Sequence, residues 1–131
     1  MCRLSALLVV VGAVTLLGCG GEPPYVQDRD GVIRVTLDEF RITPQNIVVH
    51  AGRIRLVAIN RGRLTHNLAI ESFAQIVGKE PHLYGRTDTL HPGQTGREQE
   101  AITLKPGRYR LTDTIANHDD LGQYGELKVV K

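Results

Sequence analysis

The sequence has no tryptophan and only two cysteines, and aromatic residues make up 5% of its 131 positions. Its size and its cysteine number together exclude a small protein held together by disulfides. It also lacks an excess of one charge, because 16 Lys and Arg against 14 Asp and Glu give a formal net charge of +2. A dedicated nucleic-acid-binding protein carries a dense basic face. We therefore expect one domain of ordinary size with no nucleic-acid partner.

Long hydrophobic runs are also lacking. The longest, residues 7–17, follows the basic start Met1-Cys2-Arg3 and is broken only by Gly12 and Thr15. A helix of that length spans roughly 16 Å, about half the hydrocarbon core of a bilayer. The run therefore predicts the apolar region of a secretory signal peptide and not a stable membrane span.

The end of this run is more specific. Leu16-Leu17-Gly18-Cys19 resembles the lipobox of bacterial lipoproteins, in which the peptide is cut before the cysteine and the thiol is acylated. The resemblance implies a signal peptide over residues 1–18 and a lipid anchor on Cys19. The chain would then stay on the extracytoplasmic side of a membrane in the bacterial cell envelope. The sequence does not distinguish the inner from the outer membrane. The alternative is a plain signal peptide that happens to end in a cysteine.

Residues 19–31 are rich in Gly, Pro and charge and show no apolar periodicity, which predicts a flexible tether reaching at most about 45 Å. From residue 32 the pattern is that of β-strands, so residues 32–131 are predicted to form one domain. Short β-branched or alternating runs are separated by turn signals, which predicts a Greek-key β-sandwich of about seven to eight strands. The predicted strands are residues 32–37, 47–49, 53–60, 66–70, 100–104, 108–112 and 124–130.

Residues 73–97 form a segment too long for a plain connection, and we expect a short helix or an extra strand in it. His82, Leu83, Tyr84 and His91 within it offer a mixed apolar and imidazole surface to a partner, or simply a solvated decoration of the sandwich.

No phosphate loop, serine-nucleophile elbow or helical zinc-protease motif is present, so no enzyme is predicted. Among the five histidines, His50, His82 and His91 sit in or beside turns and are expected to be solvated. His66 and His118 differ because of their surroundings. Residues 60–68, with Asn60-Arg61-Gly62 and the pair His66-Asn67, resemble the segment around the first copper-binding histidine of the cupredoxins. Residues 105–111 and 118–125 are similar to the turn, strand and ligand loop that follow in that family.

The resemblance covers nearly the whole domain and implies a cupredoxin-like sandwich with His66 and His118 as metal ligands. It places Asp113 where the family most often has its cysteine, and Gln123 at the axial position, with Asn67 supporting the site. Ala116-Asn117 also replaces the Pro-Gly of the family. A blue copper centre needs a thiolate. With Cys2 removed and Cys19 acylated, none would be left.

The remaining set of two imidazoles, a carboxylate and an amide suits Cu(II), Zn(II) or another divalent ion, with Cu(II) favoured by intrinsic affinity. Asp119 and Asp120 are close enough in sequence to act as alternative ligands or as an acidic rim. We therefore expect a non-blue copper site in a copper-handling lipoprotein. The alternative is a metal-free β-sandwich that binds an envelope protein, with Asp113 bonded to Asn67 or to backbone N–H groups.

Overall fold

The computed structural model describes residues 20–73 and 77–131, and within them it contains strands and no helix. The predicted signal peptide and Cys19 lie outside the described residues. No helix in the described part of the chain is long and apolar enough to span a bilayer. The strands are β1 (Tyr25–Gln27), β2 (Val32–Asp38), β3 (Arg41–Thr43), β4 (Asn46–His50), β5 (Gly52–Asn60), β6 (Ala69–Ser72), β7 (Leu83–Arg86), β8 (Thr95–Arg97), β9 (Ile102–Leu104), β10 (Gly107–Thr112) and β11 (Tyr124–Val130).

These strands form the two sheets of a β-sandwich, as the sequence predicts. One sheet has the order β1-β4-β11-β10-β6-β7, and the other has the order β3-β2-β5-β8 with β9 also paired to β5. Strand β4 runs parallel to β11, and β2 runs parallel to β5. Parallel neighbours need crossover connections, so the chain passes repeatedly between the sheets.

The core between the sheets follows the alternation of the sequence. In β5, Ile54, Leu56 and Ala58 are buried. Arg53 and Arg55 on the same strand face solvent, as expected. Each fully buried Leu or Ile contributes about 1.5–3 kcal/mol relative to an exposed one. Among the described residues, eighteen buried apolar residues from both sheets form this core, and most of them are Leu or Ile.

One predicted strand is misplaced. The run 66–70 was expected to be a strand, but β6 begins at Ala69. His66 instead forms an isolated bridge with Leu90, in which His66 N donates to Leu90 O at 3.0 Å and Leu90 N donates to His66 O at 2.8 Å. Side-chain hydrogen bonds of Asn67 to Thr114 take the place of a regular ladder at this point. Alternation cannot reveal such bonds.

The segment predicted as a tether contains a strand. β1 pairs in parallel with β4, and Asp28 N donates to Val48 O at 2.8 Å just beyond it. All three residues of β1 are exposed, so its attachment rests on backbone bonds and on the Asn46 amide, which donates to Pro23 O at 2.9 Å. A strand without a buried face has no hydrophobic signature, which is why the sequence pattern misses it.

The long segment at 73–97 holds extra strands, one of the two forms expected for it. In its described part, β7 extends the larger sheet and β8 extends the smaller one. Residues 74–76 lie outside the described residues.

Candidate metal centre

The predicted site residues lie at one end of the sandwich, where β5 and β10 end and β11 begins. Asp113 follows β10 directly and Gln123 directly precedes β11. Because Thr112 pairs with Tyr124 in these neighbouring strands, the two residues are brought side by side. Asp113 N donates to Gln123 O at 3.3 Å, and Gln123 N donates to His118 O at 3.0 Å.

Asp113 joins two imidazoles. Its Oδ2 atom lies 2.8 Å from His66 Nδ1 and 2.9 Å from His118 Nδ1. The two imidazole rings have centroids 5.1 Å apart. All three residues are buried, and each offers a ligand atom within 4.8 Å of the others. His66 thus joins Asp113 and His118, which lie about fifty residues further along the chain, in one compact donor cluster.

The other oxygen of Asp113 is held by the backbone. Oδ1 accepts from Ile115 N at 2.9 Å and from Asn67 N at 3.3 Å. The Asn67 side chain donates to Thr114 Oγ1 at 2.8 Å and accepts from Thr114 N at 2.8 Å. These bonds fasten the His66 loop to the loop after β10, and they fix the orientation of the carboxylate.

Gln123, the predicted axial residue, is buried, and only one of the two polar atoms of its side chain forms a hydrogen bond. Its Nε2 donates to Asp38 O at 3.1 Å. Its Oε1 is buried and has no hydrogen-bond partner among the described residues. A buried amide oxygen without a partner costs free energy, about 1–3 kcal/mol in proteins. A cation beside this oxygen would remove that cost.

The segment made of the last residue of β2 and the turn to β3, residues 38–40, was not predicted to belong to the site. Besides the Asp38 carbonyl, it places Glu39 Oε1 3.8 Å from His66 Nε2. The Phe40 ring stands edge-on to His118, with centroids 5.5 Å apart and φ at +61° for Phe40. No motif marks these residues, and their sequence distance from His66 and His118 hides the contact.

Glu39 is held as a carboxylate. Its Oε1 accepts from Leu64 N at 3.0 Å and from Arg63 N. These two backbone N–H groups lower the pKa of Glu39, and the charge of His66 lowers it further. His66 Nε2, which faces this carboxylate, is buried with no hydrogen-bond partner in the described ranges.

Asn60 explains the Asn-x-Gly part of the motif. It is buried, and its Nδ2 donates to Leu64 O and to Leu90 O, each at 2.8 Å. Its Oδ1 accepts from Gly62 N at 2.9 Å. Asn60 therefore shapes the loop that presents His66, and it makes no contact with the donor cluster itself.

The remaining polar candidates lie outside the cluster. Asp119 pairs with Arg110 at 3.5 Å, and Asp120 is exposed. His50 contacts Lys131 O at 2.8 Å, and the His82 ring stands edge-on to Tyr84. His91 is exposed, as expected.

A cavity of about 240 Å³ adjoins the buried carboxylate of Asp113. Acidic side chains of Glu71, Glu80 and Asp119 line it. Burial raises the pKa of Glu71, Arg110 opposes the shift, and Asp119 and Glu80 add to it. The surface beside the cluster is thus acidic, as the expected rim would be, although Asp119 is partly neutralised by Arg110.

Comparison with known proteins supports the fold. No protein-family model matches the chain, and no curated protein sequence does. Among solved structures, an auracyanin from the photosynthetic bacterium Roseiflexus castenholzii aligns with a TM-score of 0.67 and 17% identity, covering 79% of this chain and all of its own. Auracyanin A of Chloroflexus aurantiacus, described as a blue copper protein, aligns at 0.63 and 14%, covering 82% and 100%. Reduced rusticyanin aligns at 0.58 and 14%, covering 81% and 84%.

The fold is cupredoxin-like. This confirms the architecture expected from the sequence, and the donor cluster lies at one end of the cupredoxin-like sandwich. Between residues 20 and 131 the chain has no cysteine, and Asp113 stands between the two histidines.

The donor set of this cupredoxin-like domain fits a divalent ion in chemistry and nearly in size. Two imidazoles, a carboxylate and a free amide oxygen suit Cu(II) or Zn(II). Bonds of about 2.0–2.2 Å hold neighbouring ligand atoms roughly 3.3–3.6 Å apart in a tetrahedral site. The Asp113 contacts of 2.8 and 2.9 Å are hydrogen-bond distances. An ion would therefore require these side chains to separate by about half an ångström.

Proposed function

We propose that this chain binds one copper ion at a non-blue site formed by His66, Asp113 and His118, with Gln123 as a weak oxygen ligand. It would serve copper handling in the bacterial cell envelope and not catalysis. The observation that carries the proposal is the approach of one carboxylate oxygen to two buried imidazole nitrogens, at 2.8 and 2.9 Å. The unpartnered Oε1 of Gln123 supports it.

The ligand types favour the oxidised ion. A carboxylate is a harder ligand than a thiolate, so it stabilises Cu(II) relative to Cu(I). Bound copper would supply slow one-electron chemistry or simple storage, and the chain's own contribution is to hold the donors. Asp113 is fixed through Ile115 N and Asn67 N, which limits the rearrangement on binding.

The location belongs to the same proposal. Cys19, after Leu16-Leu17-Gly18, would carry the lipid that anchors the domain outside the cytoplasm. Two acyl chains suffice for stable anchoring. Replacing Cys19 by Ser should release the chain from the membrane fraction, and retention of the Cys19→Ser chain on membranes would argue against the anchor.

A second candidate is a metal-free module that binds an envelope protein. Each oxygen of Asp113 already has two polar partners in the absence of an ion. The cluster could therefore act as a buried hydrogen-bond network that shapes the loops. Under this alternative, copper would bind weakly and independently of the cluster.

The test is Cu(II) titration of the full chain in detergent, followed by electron paramagnetic resonance. We compare it with a His66→Ala, His118→Ala double variant and with a matched His50→Ala, His91→Ala variant, whose histidines are exposed and outside the cluster. The proposal predicts one tight site with nitrogen hyperfine coupling, lost only in the first variant. Equal binding by both variants would favour the metal-free alternative.

A further inference from the structure

One short connection contacts each imidazole and the amide of the proposed centre. Residues 38–40 comprise the last residue of β2 and the turn to β3, and each of the three contacts a different member of the donor set. The Asp38 carbonyl accepts from Gln123 Nε2 at 3.1 Å. The Phe40 ring packs against His118 at 5.5 Å. Glu39 Oε1 faces His66 Nε2 at 3.8 Å.

The Glu39 contact is the one with a chemical consequence. His66 has a carboxylate at each ring nitrogen, Asp113 at Nδ1 and Glu39 at Nε2. A carboxylate can only accept hydrogen bonds, so a neutral ring with its single proton can satisfy one of the two. A metal ion at Nδ1 would leave the ring's single proton on Nε2, where it faces the Glu39 carboxylate.

We propose that Glu39 is a positioning residue of the metal centre: its carboxylate holds the His66 ring in place and stabilises positive charge on it. This inference rests on the proposed copper function. Carboxylates that contact the outer nitrogen of a metal-bound imidazole raise its basicity and fix its orientation. Here the carboxylate is that of Glu39, between β2 and β3, whereas His66 lies between β5 and β6 and His118 between β10 and β11.

Gly62 leaves the space that this contact needs. A Cβ on Gly62 would lie 2.5 Å from Glu39 Oε1 and 3.1 Å from His66 Nε2. Any side chain at this position would therefore crowd both the Glu39 carboxylate and the imidazole and disturb their contact without removing a charge.

The first experiment is Glu39→Gln in the full chain, with Glu100→Gln as the matched control. Glutamine keeps an oxygen that can accept from Arg63 N and Leu64 N, but it loses the charge. Glu100 is exposed and lies two residues before β9, which pairs with the start of β5 and so lies away from the site at the end of that strand. Cu(II) affinity should fall 10- to 100-fold in Glu39→Gln and stay within about twofold in the control.

Two readouts separate positioning from general structural damage. The Cu(II)/Cu(I) potential should rise in Glu39→Gln, because the lost negative charge favoured the more positive ion. In the metal-free chain, the ¹⁵N resonance of His66 Nε2 should move in Glu39→Gln and remain unchanged in Glu100→Gln. Gly62→Ala provides a second variant and should reproduce both shifts although every charge is kept.

The outcomes of the two proposals can be told apart. If the wild-type chain binds copper but Glu39→Gln matches the control in affinity, potential and ¹⁵N shift, the role of Glu39 is overturned and the copper function stands. If no variant binds copper, the copper function fails, and a His66 Nε2 resonance that depends on Glu39 still supports the pairing.

Discussion

The middle of the sandwich and its polar end are built on opposite principles. Between the sheets the buried side chains are apolar, with Leu37, Leu56 and Leu111 fully enclosed. At the end beyond β5 and β10, the buried side chains are mostly polar, and they include His66 and Asp113. Burial of apolar side chains in the middle stabilises the fold, and burial of polar side chains at the end lowers that stability.

The contrast points to the polar end as the place for a functional site. Burying polar groups is costly unless each finds a partner, so a purely structural domain gains little from a carboxylate and two imidazoles. Among the described residues, the buried side-chain polar atoms without a hydrogen-bond partner are His66 Nε2 and Gln123 Oε1. Both atoms belong to residues of the proposed centre: Gln123 Oε1 is the proposed weak ligand, and His66 Nε2 faces Glu39.

The largest expected loss of stability comes from a substitution in the apolar middle. Leu56→Ala in the centre of β5 should lower the free energy of unfolding by about 2–5 kcal/mol, because the deleted methyl groups leave a cavity between packed sheets. Urea unfolding followed by circular dichroism measures it. A loss under about 1 kcal/mol would mean that the middle of the sandwich is not tightly packed.

A substitution at the polar end should cost less stability than Leu56→Ala but should weaken Cu(II) binding. In Asp113→Asn an NH₂ group can face the two imidazoles, and we expect a loss of about 1–3 kcal/mol together with a Cu(II) affinity at least tenfold weaker. Unfolding and titration on the same sample measure both. An unchanged affinity would remove Asp113 from the ligand set.

The support of the cluster should contribute less than its centre. Asn67→Ala removes both hydrogen bonds to Thr114 and should cost about 1–2 kcal/mol. Amide hydrogen exchange at Thr114 and Ile115 should become faster, since the loop after β10 loses its fastening. Unaltered exchange at both amides would show that the loops are held by other contacts.

The smallest effect is expected on the exposed face of the larger sheet. Arg108 donates to both Glu126 oxygens at 2.7 Å, and this pairing lowers the pKa of the Glu126 carboxyl. A lowered pKa in the folded state means that the pair stabilises above the unfolded-state value, 4.5, and that this stability is lost as pH falls below it. Glu126→Gln should cost less than about 1 kcal/mol at pH 7, and high salt should shrink the difference. A salt-independent loss would point to packing instead of charge.

The sequence predicts the apolar middle better than the polar end. Alternation in β2 and β5 is enough to place Ile33, Leu37 and Leu56 inside, because burial of a strand face follows a period of two. The resemblance around His66 and His118 is enough to bring Asp113 and Gln123 into view. Neither signal could reveal Glu39 or Phe40, since their contacts depend on how one turn approaches two distant loops. β1 is missed because all three of its residues are exposed and its pairing with β4 leaves no buried face to show in the sequence.

The register of β1 has a consequence for how the domain is presented. Tyr25 lies beside Asn46, and Asn46 lies beside Glu126, three positions beyond Gln123. Because β1, β4 and β11 run in the same direction, the chain before Tyr25 leaves the sandwich toward the end that holds Gln123.

If Cys19 carries the proposed lipid, the tether between the lipid and β1 consists only of the residues before Tyr25. This stretch spans roughly 20 Å when fully extended. The polar end of the sandwich, which holds Gln123, would then face the lipid headgroups. The opposite end would face the aqueous compartment. A protein that exchanges copper with this domain would have to reach it from the plane of the membrane.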